Sequence, residues 1–327
     1  MSMAELSDQL LAYTILGYAL AMFGYAAEYA FGVRSAVARV AARPRERELV
    51  GAGGPALEPP AVPDREVPDR EVPDQGGRIA VVGRVAVGLN VVAAALHIGV
   101  LVTRGLAAGR VPWGNMYEFV VAFCLVGSLV WLGLLARRST VRPLGLFVTL
   151  VLVVLLGLAG MAVHTAAGPL VPALNSYWLK IHVSSAAIAT GFFLVGAVAA
   201  VLTLIRLGYD RGRRNYFYGL GDRLPAAAVL ERMTFRIHAF AFPLWTFAVI
   251  GGAIWAEQAW GRYWNWDPKE TWSFIAWVAY AAYLHARATP SVRRTVAVWF
   301  AVGAWMVMMV NLIMVNLVIS GLHSYAK

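Results

Sequence analysis

The sequence predicts an all-α, polytopic membrane protein with about eight transmembrane helices. Of its 327 residues, 60% are hydrophobic and only 14% are charged, whereas roughly a quarter are charged in an average soluble domain. Apolar runs of about 20 residues recur along the chain, which is the length that crosses a bilayer as a helix. Lipid cannot satisfy backbone polar groups, so such runs must form helices with internal hydrogen bonds.

Eight spans follow from the positions of these runs. They cover roughly residues 10–32, 79–103, 116–136, 143–164, 177–205, 234–256, 272–287 and 295–320. A charged repeat punctuated by proline, VPDREVPDREVPDQ, separates the first two spans and has no apolar periodicity. We therefore expect a first transmembrane helix within residues 1–33, a disordered cytoplasmic linker over 34–78, and a membrane domain over 79–327.

Lysine and arginine are distributed unevenly between the loops. Of the 28 residues of these two types, 21 lie in or beside the loops that follow spans 1, 3, 5 and 7. The positive-inside rule assigns these loops to the cytoplasm, which puts both termini and the loop between spans 6 and 7 outside. We expect a multi-pass plasma-membrane protein with an extracytoplasmic active face. The net charge of +10 then reflects topology and does not indicate nucleic-acid binding.

The loop between spans 6 and 7 is unusually rich in tryptophan. It reads WAEQAWGRYWNWDPKETW, and five of its 18 residues are Trp. A lipid anchor at the membrane interface needs only one or two such rings. We interpret the loop as an aromatic shelf for a flat apolar ligand, and its predicted members are Trp255, Trp260, Trp264, Trp266, Asp267 and Trp272.

The end of this loop also carries a helix-start signal. Asp267 can cap the following helix, Pro268 suits the first helical position, and Glu270 completes a capping box. A purely structural role for the two carboxylates is therefore an alternative to a role in the site.

Two of the six histidines are expected at the level of the aromatic shelf. His182 lies about one turn into span 5 from the outer side, and His323 follows the outer end of span 8. Two neutral imidazoles can ligate a haem iron from opposite faces. The chain lacks His-x-x-His and His-x-x-x-His, which are typical of zinc sites on one helix, so the pattern favours haem.

Three other histidines lie deeper in the membrane. His285 is about 13 residues into span 7, which at about 1.5 Å per residue is roughly 20 Å below the outer interface. His238 is near the cytoplasmic start of span 6, at a similar level, and His97 lies within span 2. An ionisable group at membrane depth indicates function. We expect an inner haem site with His285 as ligand, and with His238 and His97 as weaker candidates. The alternatives are interfacial anchoring for His238 and an interhelical hydrogen bond for His97.

Basic residues before span 3 are candidates for contacts with haem propionates. Arg104 and Arg110 lie in RGLAAGRVPWGNMYEF, and a guanidinium binds carboxylates through charge-assisted hydrogen bonds. Headgroup binding is an equal alternative. The single cysteine, Cys124, excludes an intramolecular disulfide and is expected to be a buried apolar residue.

Several of these strings resemble a known family. WGRYWNWDPKETW is similar to the tryptophan-rich "WWD" signature of the cytochrome c assembly proteins, which handle haem in membranes. The strings PWGNMYEF, NSYWLKIHV, YLHAR and GLHSY resemble the CcsA branch, also called ResC, of the two-component cytochrome c synthesis system. The resemblance covers about residues 79–327.

The resemblance implies a function in cytochrome c biogenesis. The protein would move haem b to the outer face and present it to the Cys-x-x-Cys-His motif of an apocytochrome c. It would be the haem-binding subunit of a haem lyase, beside a CcsB/ResB-like partner and downstream of a thiol-reducing system. His182 and His323 match the outer histidines, and His285 matches the membrane histidine. The second inner ligand would come from the partner, which weakens the case for His238.

Other functions are compatible with a haem site in a membrane. The protein could be a haem delivery chaperone or exporter without ligase activity, or a b-type haem subunit that transfers electrons. An electron carrier usually has its ligands in paired positions on facing helices, which the sequence does not show. A secondary transporter would be expected to show internal repeats or broken helices, and neither is clear.

Overall fold

The computed structural model describes residues 1–31, 75–169, 174–319 and 321–322. Within these ranges the chain is helical and has no β-strand. The described residues form eight long helices: α1 (Met3–Phe31), α2 (Gln75–Ala108), α3 (Met116–Arg137), α4 (Gly145–Ala162), α5 (Tyr177–Asp210), α6 (Ala227–Trp260), α7 (Pro268–Ala288) and α8 (Arg294–Met309).

Shorter helical segments complete these elements. A 3-10 turn, Ser139–Leu144, leads into α4, and a short helix, Tyr216–Gly219, continues as the 3-10 turn Leu220–Arg223 before α6. A π-helical turn, Val310–Met314, extends α8 and is followed by a last helical turn, Val315–Leu317. Most of the predicted linker, residues 34–74, lies outside the described residues.

The protein is an all-α multi-pass membrane protein. Seven of the described helices are long and apolar enough to cross a bilayer, and they match predicted spans 1 to 6 and 8. The predicted span 272–287 does form helix α7, but this helix is not among the seven. Its many Trp and Tyr residues, together with His285 and Arg287, make it less apolar than the others.

The helices pack as two groups joined through α3 and α5. In the first group, α1 packs along α2 and α4, and α4 also contacts α3. In the second group, α5 packs along α6 and α8, and α7 contacts both α6 and α8. Buried Phe123 of α3 and Leu194 of α5 belong to one continuous apolar cluster, which connects the two groups.

Aromatic contacts fix the position of α7 in the second group. Phe193 of α5 stacks on Tyr280 of α7 with ring centroids 3.7 Å apart and an interplanar angle of 4°. The indole N–H of Trp245 on α6 donates to the Ser273 carbonyl at 3.3 Å. The indole N–H of Trp277 donates to Thr246 Oγ1 at 2.8 Å. These bonds hold the first half of α7 against the middle of α6.

The tryptophan-rich stretch is mostly helical, which differs from the predicted loop. Helix α6 continues to Trp260, four residues beyond predicted span 6, and ends at Gly261. Gly261 has φ 71°, a left-handed conformation that glycine adopts without steric cost, and its N–H donates to the Glu257 carbonyl at 2.8 Å. Only Trp264 and Trp266 lie in the loop itself, because this glycine terminates the helix after Trp260.

The predicted start of α7 is confirmed. The Asp267 carboxylate accepts from the Lys269 N–H at 3.1 Å, and the Glu270 carboxylate accepts from the Asp267 N–H at 3.1 Å. Pro268 occupies the first helical position. The capping box therefore fixes the angle at which the loop enters α7.

Candidate functional site

A cavity opens where the end of α6, the start of α7 and the turns after α8 meet α5 and the segment before α3. Its empty volume is about 1200 Å³, including the part open to solvent, at or above the ~300–1,000 Å³ typical of small-molecule pockets. Aromatic rings form much of its lining: Trp113, Phe119, Trp245, Trp255, Trp260, Tyr263 and Trp264. The chain therefore has an apolar slot suited to a flat ligand.

The predicted shelf residues divide into two sets. Trp255, Trp260 and Trp264 line the cavity. Trp266, Asp267 and Trp272 are not part of its lining. Trp266 is 67% exposed and has φ 56°, a left-handed conformation that is rare for a residue with a large side chain. Its ring instead meets Trp264 edge to face, with centroids 5.7 Å apart.

His182 of α5 lines the cavity beside Trp255. The two rings are nearly parallel, with an interplanar angle of 7° and centroids 6.4 Å apart. The His182 Nδ1 donates to the Ala248 carbonyl at 2.7 Å. Since a carbonyl can only accept, Nδ1 carries the proton, and the lone pair of the neutral ring is on Nε2. This is the tautomer that a metal-binding imidazole needs.

A glycine makes room for the His182 ring. A Cβ atom at Gly252 of α6 would lie 2.7 Å from His182 Cε1, which is too close for an undisturbed ring. Gly252 also lines the cavity. The residue at this position therefore determines how near α6 and α5 approach at the site.

Asp267 connects the loop to the chain after α8. One carboxylate oxygen caps α7, and the other, Oδ2, accepts from the backbone N–H of Leu322 at 2.7 Å. Asp267 is only 7% exposed. His323, the second predicted outer ligand, follows Leu322 directly in the sequence and lies outside the described residues. Asp267 thus fixes the backbone immediately before His323.

One end of the cavity is polar. Lys269, Glu270 and Ser273 of α7 contribute to the lining, as do Asn311 and Asn316 in the turns after α8. The Lys269 ammonium donates to the Asn311 carbonyl at 3.0 Å. Burial lowers the pKa of Lys269 to about 8, an effect that nearby Asp267 partly offsets.

Arg104 and Arg110 both bind Glu118. Arg104 Nε lies 3.1 Å from Glu118 Oε1, and Arg110 Nη1 lies 2.7 Å from Oε2. Glu118 also accepts from the Gly114 N–H at 2.8 Å. Arg104 donates further to the Thr165 carbonyl, and Arg110 to the Gly168 carbonyl. The two guanidinium groups hold the segment before α3 in place, and neither belongs to the cavity lining.

The sequence profile of the Cytochrome C assembly protein family matches residues 113–323. The chain belongs to the cytochrome c assembly protein family. The match starts at Trp113, on the cavity wall, and extends past Leu322, so it contains every residue that lines the cavity. The protein therefore has a role in cytochrome c biogenesis and haem handling, and the predicted family resemblance is confirmed.

Relatives named cytochrome c biogenesis protein CcsA match most of the chain. The protein from Guillardia theta is 32% identical over 242 residues, which cover 69% of this chain and 80% of the relative. The protein from Gloeobacter violaceus (strain ATCC 29082 / PCC 7421) is 31% identical over 298 residues, covering 76% and 88%. These relatives are similar to this chain over most of their length.

A solved structure shares the fold of this assembly-family protein. The cytochrome c heme lyase CcmF superposes with a TM-score of 0.59 and 17% sequence identity. The superposition covers 95% of this chain and 47% of the CcmF chain. The same helical architecture thus forms about half of that larger protein.

The predicted inner histidines do not converge in the described part of this chain. His285 lies on the exposed side of α7. His238 of α6 is fully buried against the other side of α7, with its ring centroid 5.5 Å from that of Tyr280 and 4.9 Å from that of Tyr283. Its Nδ1 donates to the Thr234 carbonyl at 2.7 Å.

His97 makes a contact between helices, as its alternative interpretation predicted. It is fully buried on α2, and its Nδ1 shares a hydrogen bond of 3.2 Å with the Tyr18 hydroxyl of α1. The two rings also meet edge to face, with centroids 5.8 Å apart. This ring therefore joins α1 to α2, away from the residues that line the cavity.

Sequence reasoning missed part of the cavity. Trp113 is distant in sequence from the tryptophan-rich stretch, and Trp245 lies ten residues before it on α6; only the packing of the helices places both on the cavity wall. Lys269 was assigned no role in the site from sequence. Asn311 and Asn316 stand in an otherwise apolar span, and that contrast is the signal that marks them.

Proposed function

We propose that the protein binds haem b in this cavity and presents it, on the extracytoplasmic side of the plasma membrane, to an apocytochrome c. His182 and His323 would be the axial ligands, and the indole rings of Trp255, Trp260 and Trp264 would hold the porphyrin faces. The observation that carries this proposal is His182: it lies on the wall of an indole-lined slot with Nδ1 protonated and bound to a carbonyl.

The residues of the cavity suit haem as cargo. A porphyrin presents two large apolar faces, which aromatic side chains bind well. An iron ligand needs an unprotonated imidazole nitrogen, and the bond from Nδ1 to Ala248 leaves that role to Nε2. The bond between Asp267 and Leu322 supports the second ligand, because it fixes the backbone next to His323.

The chemistry at this site would be thioether formation. Each thiol of a Cys-x-x-Cys-His motif adds across one haem vinyl group. The S–H bond breaks, a carbon–sulfur bond forms, and the proton ends on the second vinyl carbon, so no oxidant is consumed. The contribution of this chain is to orient the vinyl edge towards the incoming thiols. The imidazole of the apocytochrome would then replace one axial ligand on release.

A CcsB/ResB-like subunit is the proposed partner in the membrane. His285 lies on the exposed side of α7, and this helix is less apolar than the seven others. A polar side chain facing lipid is costly. The exposed position therefore supports an inner haem site that is completed by a ligand from another chain. His238 does not suit that role in this arrangement, since its ring is fully enclosed.

One experiment separates this function from its alternatives. The protein is purified in detergent, alone and co-expressed with the partner, and absorption spectra are recorded in oxidised and reduced states. It is then mixed with a reduced Cys-x-x-Cys-His apocytochrome. We expect transfer of haem with a blue shift of the reduced α-band, which reports the loss of vinyl conjugation.

The alternatives give different outcomes. A delivery chaperone or exporter would lose its haem to the acceptor without that shift. A b-type electron carrier would keep its haem. If His182→Ala and His323→Ala both retained wild-type haem content and cytochrome c yield, the assignment of the outer ligands would be wrong.

A further inference from the structure

We propose that Lys269 and the π-helical turn at Asn311 form a carboxylate-binding site at the polar end of the cavity. This inference rests on the proposed function, because the carboxylates would be the propionates of haem. The site would fix which edge of the porphyrin points inward. The opposite edge of the porphyrin, which carries the vinyl groups, would then face the side from which the apocytochrome approaches.

The first observation is the position of the ammonium group. Lys269 is half-buried in the first turn of α7, and its side chain reaches back to the Asn311 carbonyl at 3.0 Å. Among the described residues that line the cavity, it is the one lysine or arginine. An ammonium has three donors, so a carbonyl alone leaves capacity for a further acceptor.

The second observation is the backbone geometry of the helical turn that Lys269 contacts. Residues Val310–Met314 form a π-helical turn, a distortion that is frequent at functional sites. The Asn311 carbonyl is turned to accept from Lys269 at 3.0 Å and from the Asn316 side-chain amide at 3.2 Å. The turn therefore assembles a small polar patch within an otherwise apolar helix.

The side chain of Asn311 offers a second donor to the same ligand. Its Oδ1 is buried and has no hydrogen-bond partner among the described residues, while its Nδ2 donates to Ser273 Oγ at 3.2 Å. The two amide atoms are interchangeable by a flip of the group. After that flip, Oδ1 accepts from the Ser273 hydroxyl, and Nδ2 becomes available to a carboxylate oxygen in the cavity.

The nearby carboxylates already have partners of their own. Glu270 accepts from the Asn265 N–H at 2.8 Å and from the Asp267 N–H at 3.1 Å. Asp267 accepts from the N–H groups of Lys269 and Leu322. Neither carboxylate forms an ion pair of less than 4.0 Å with the Lys269 ammonium in the described structure. The lowered pKa of Lys269 agrees with a charge that lacks full compensation.

The arginines predicted for this role are occupied elsewhere. Arg104 and Arg110 share Glu118, and neither lines the cavity. Because both guanidinium groups already pair with Glu118 outside the cavity lining, contact with a propionate in the cavity would require these side chains to move. Lys269 requires no such rearrangement.

The test compares an acid with its ester. The full chain in detergent is titrated with metal-free protoporphyrin IX and with its dimethyl ester, and binding is followed by quenching of tryptophan fluorescence. Both probes lack iron, so iron ligation by the histidines contributes to neither affinity. We expect the wild type to bind the diacid more tightly than the diester, by about tenfold for one charge-assisted contact. Lys269→Met should remove that preference, and Lys269→Arg should keep it.

A matched control and a clear set of outcomes complete the test. Lys180 is exposed near the outer end of α5 and does not line the cavity, so Lys180→Met should leave both affinities unchanged.

Equal wild-type affinity for diacid and diester overturns the inference without any variant. A loss of both affinities in Lys269→Met, with the diacid preference retained, also overturns it. If the wild type binds haem but shows no diacid preference, the proposed function stands and this inference fails; if it binds neither haem nor protoporphyrin, both fail.

Discussion

The Asp267 carboxylate accepts a hydrogen bond from the backbone N–H of Leu322 at 2.7 Å, across 55 residues of sequence. The same carboxylate caps α7 through the Lys269 N–H. One side chain therefore fixes the helix that carries Lys269 and the backbone that precedes His323. A change at Asp267 should therefore disturb both segments at once.

Removal of this carboxylate should weaken haem binding. Asp267→Ala loses a helix cap, which costs about 1 kcal/mol, and also loses the bond to Leu322. We expect roughly tenfold weaker binding of haem, a change equivalent to about 1.4 kcal/mol, measured by absorption titration. Asn215→Ala is the control, because Asn215 caps the short helix Tyr216–Gly219 and does not line the cavity. Equal binding by both variants would count against the role of Asp267.

Gly252→Ala should disturb iron ligation without changing any polar group. The added Cβ would lie 2.7 Å from His182 Cε1, so the imidazole must tilt or move away from Ala248. We expect the Soret and α-bands of bound haem to shift and the affinity to fall by at least about tenfold. Gly303→Ala is the matched control, since a Cβ there meets no atom within 4 Å. A wild-type spectrum for Gly252→Ala would argue against His182 as a ligand.

Neutralising Glu118 should destabilise the segment that leads into α3. Glu118→Gln leaves the largely buried guanidinium of Arg110 without a carboxylate and that of Arg104 with only Asp8 at 3.9 Å, and breaking such a buried pair costs about 3–5 kcal/mol. Because Glu118 also holds the Gly114 N–H, the cavity wall at Trp113 should loosen as well. Thermal unfolding in detergent would report the first effect and porphyrin affinity the second. Glu5→Gln, at an exposed position in α1, should leave both unchanged.

Binding of an acidic porphyrin should weaken as the pH rises above about 8. The pKa of Lys269 is lowered to about 8 by burial, so the ammonium is charged below that pH and neutral above it. A bound carboxylate favours the charged form, and binding therefore takes up a proton at higher pH. Asp267, Glu270 and His182 also face this region. Since they act on both probes, the ratio of diacid to diester affinity isolates Lys269. A ratio that stays constant from pH 7 to 9.5 would contradict the prediction.

The helices could be predicted from sequence because their signal is local. Runs of apolar residues long enough to span a bilayer predicted seven helices that the structure describes as candidate spans. The start of α7 was equally local, since Asp267, Pro268 and Glu270 are adjacent in sequence. The end of α6 was not predicted correctly. Trp255 and Trp260 were placed in a loop from sequence, whereas the helix continues through both and ends at Gly261.

The polar contacts of the site could not be predicted in the same way. The pairing of Arg104 and Arg110 with Glu118, and of Lys269 with Asn311, depends on how loops and helix ends meet in space. A sequence pattern indicates that a charge is present but not which partner neutralises it. His238 illustrates the same limit, since its enclosure by Tyr280 and Tyr283 depends on the packing of α6 against α7.

The bond between Asp267 and Leu322 also sets a time order for biosynthesis. Trp113, at one end of the family region, lines the cavity, whereas Leu322, near the other end, binds the side chain that caps α7. Because translation runs from the N-terminus, every residue that lines the cavity is synthesised before Leu322. The bond to Asp267 can therefore form only after the residues of the cavity wall have been made.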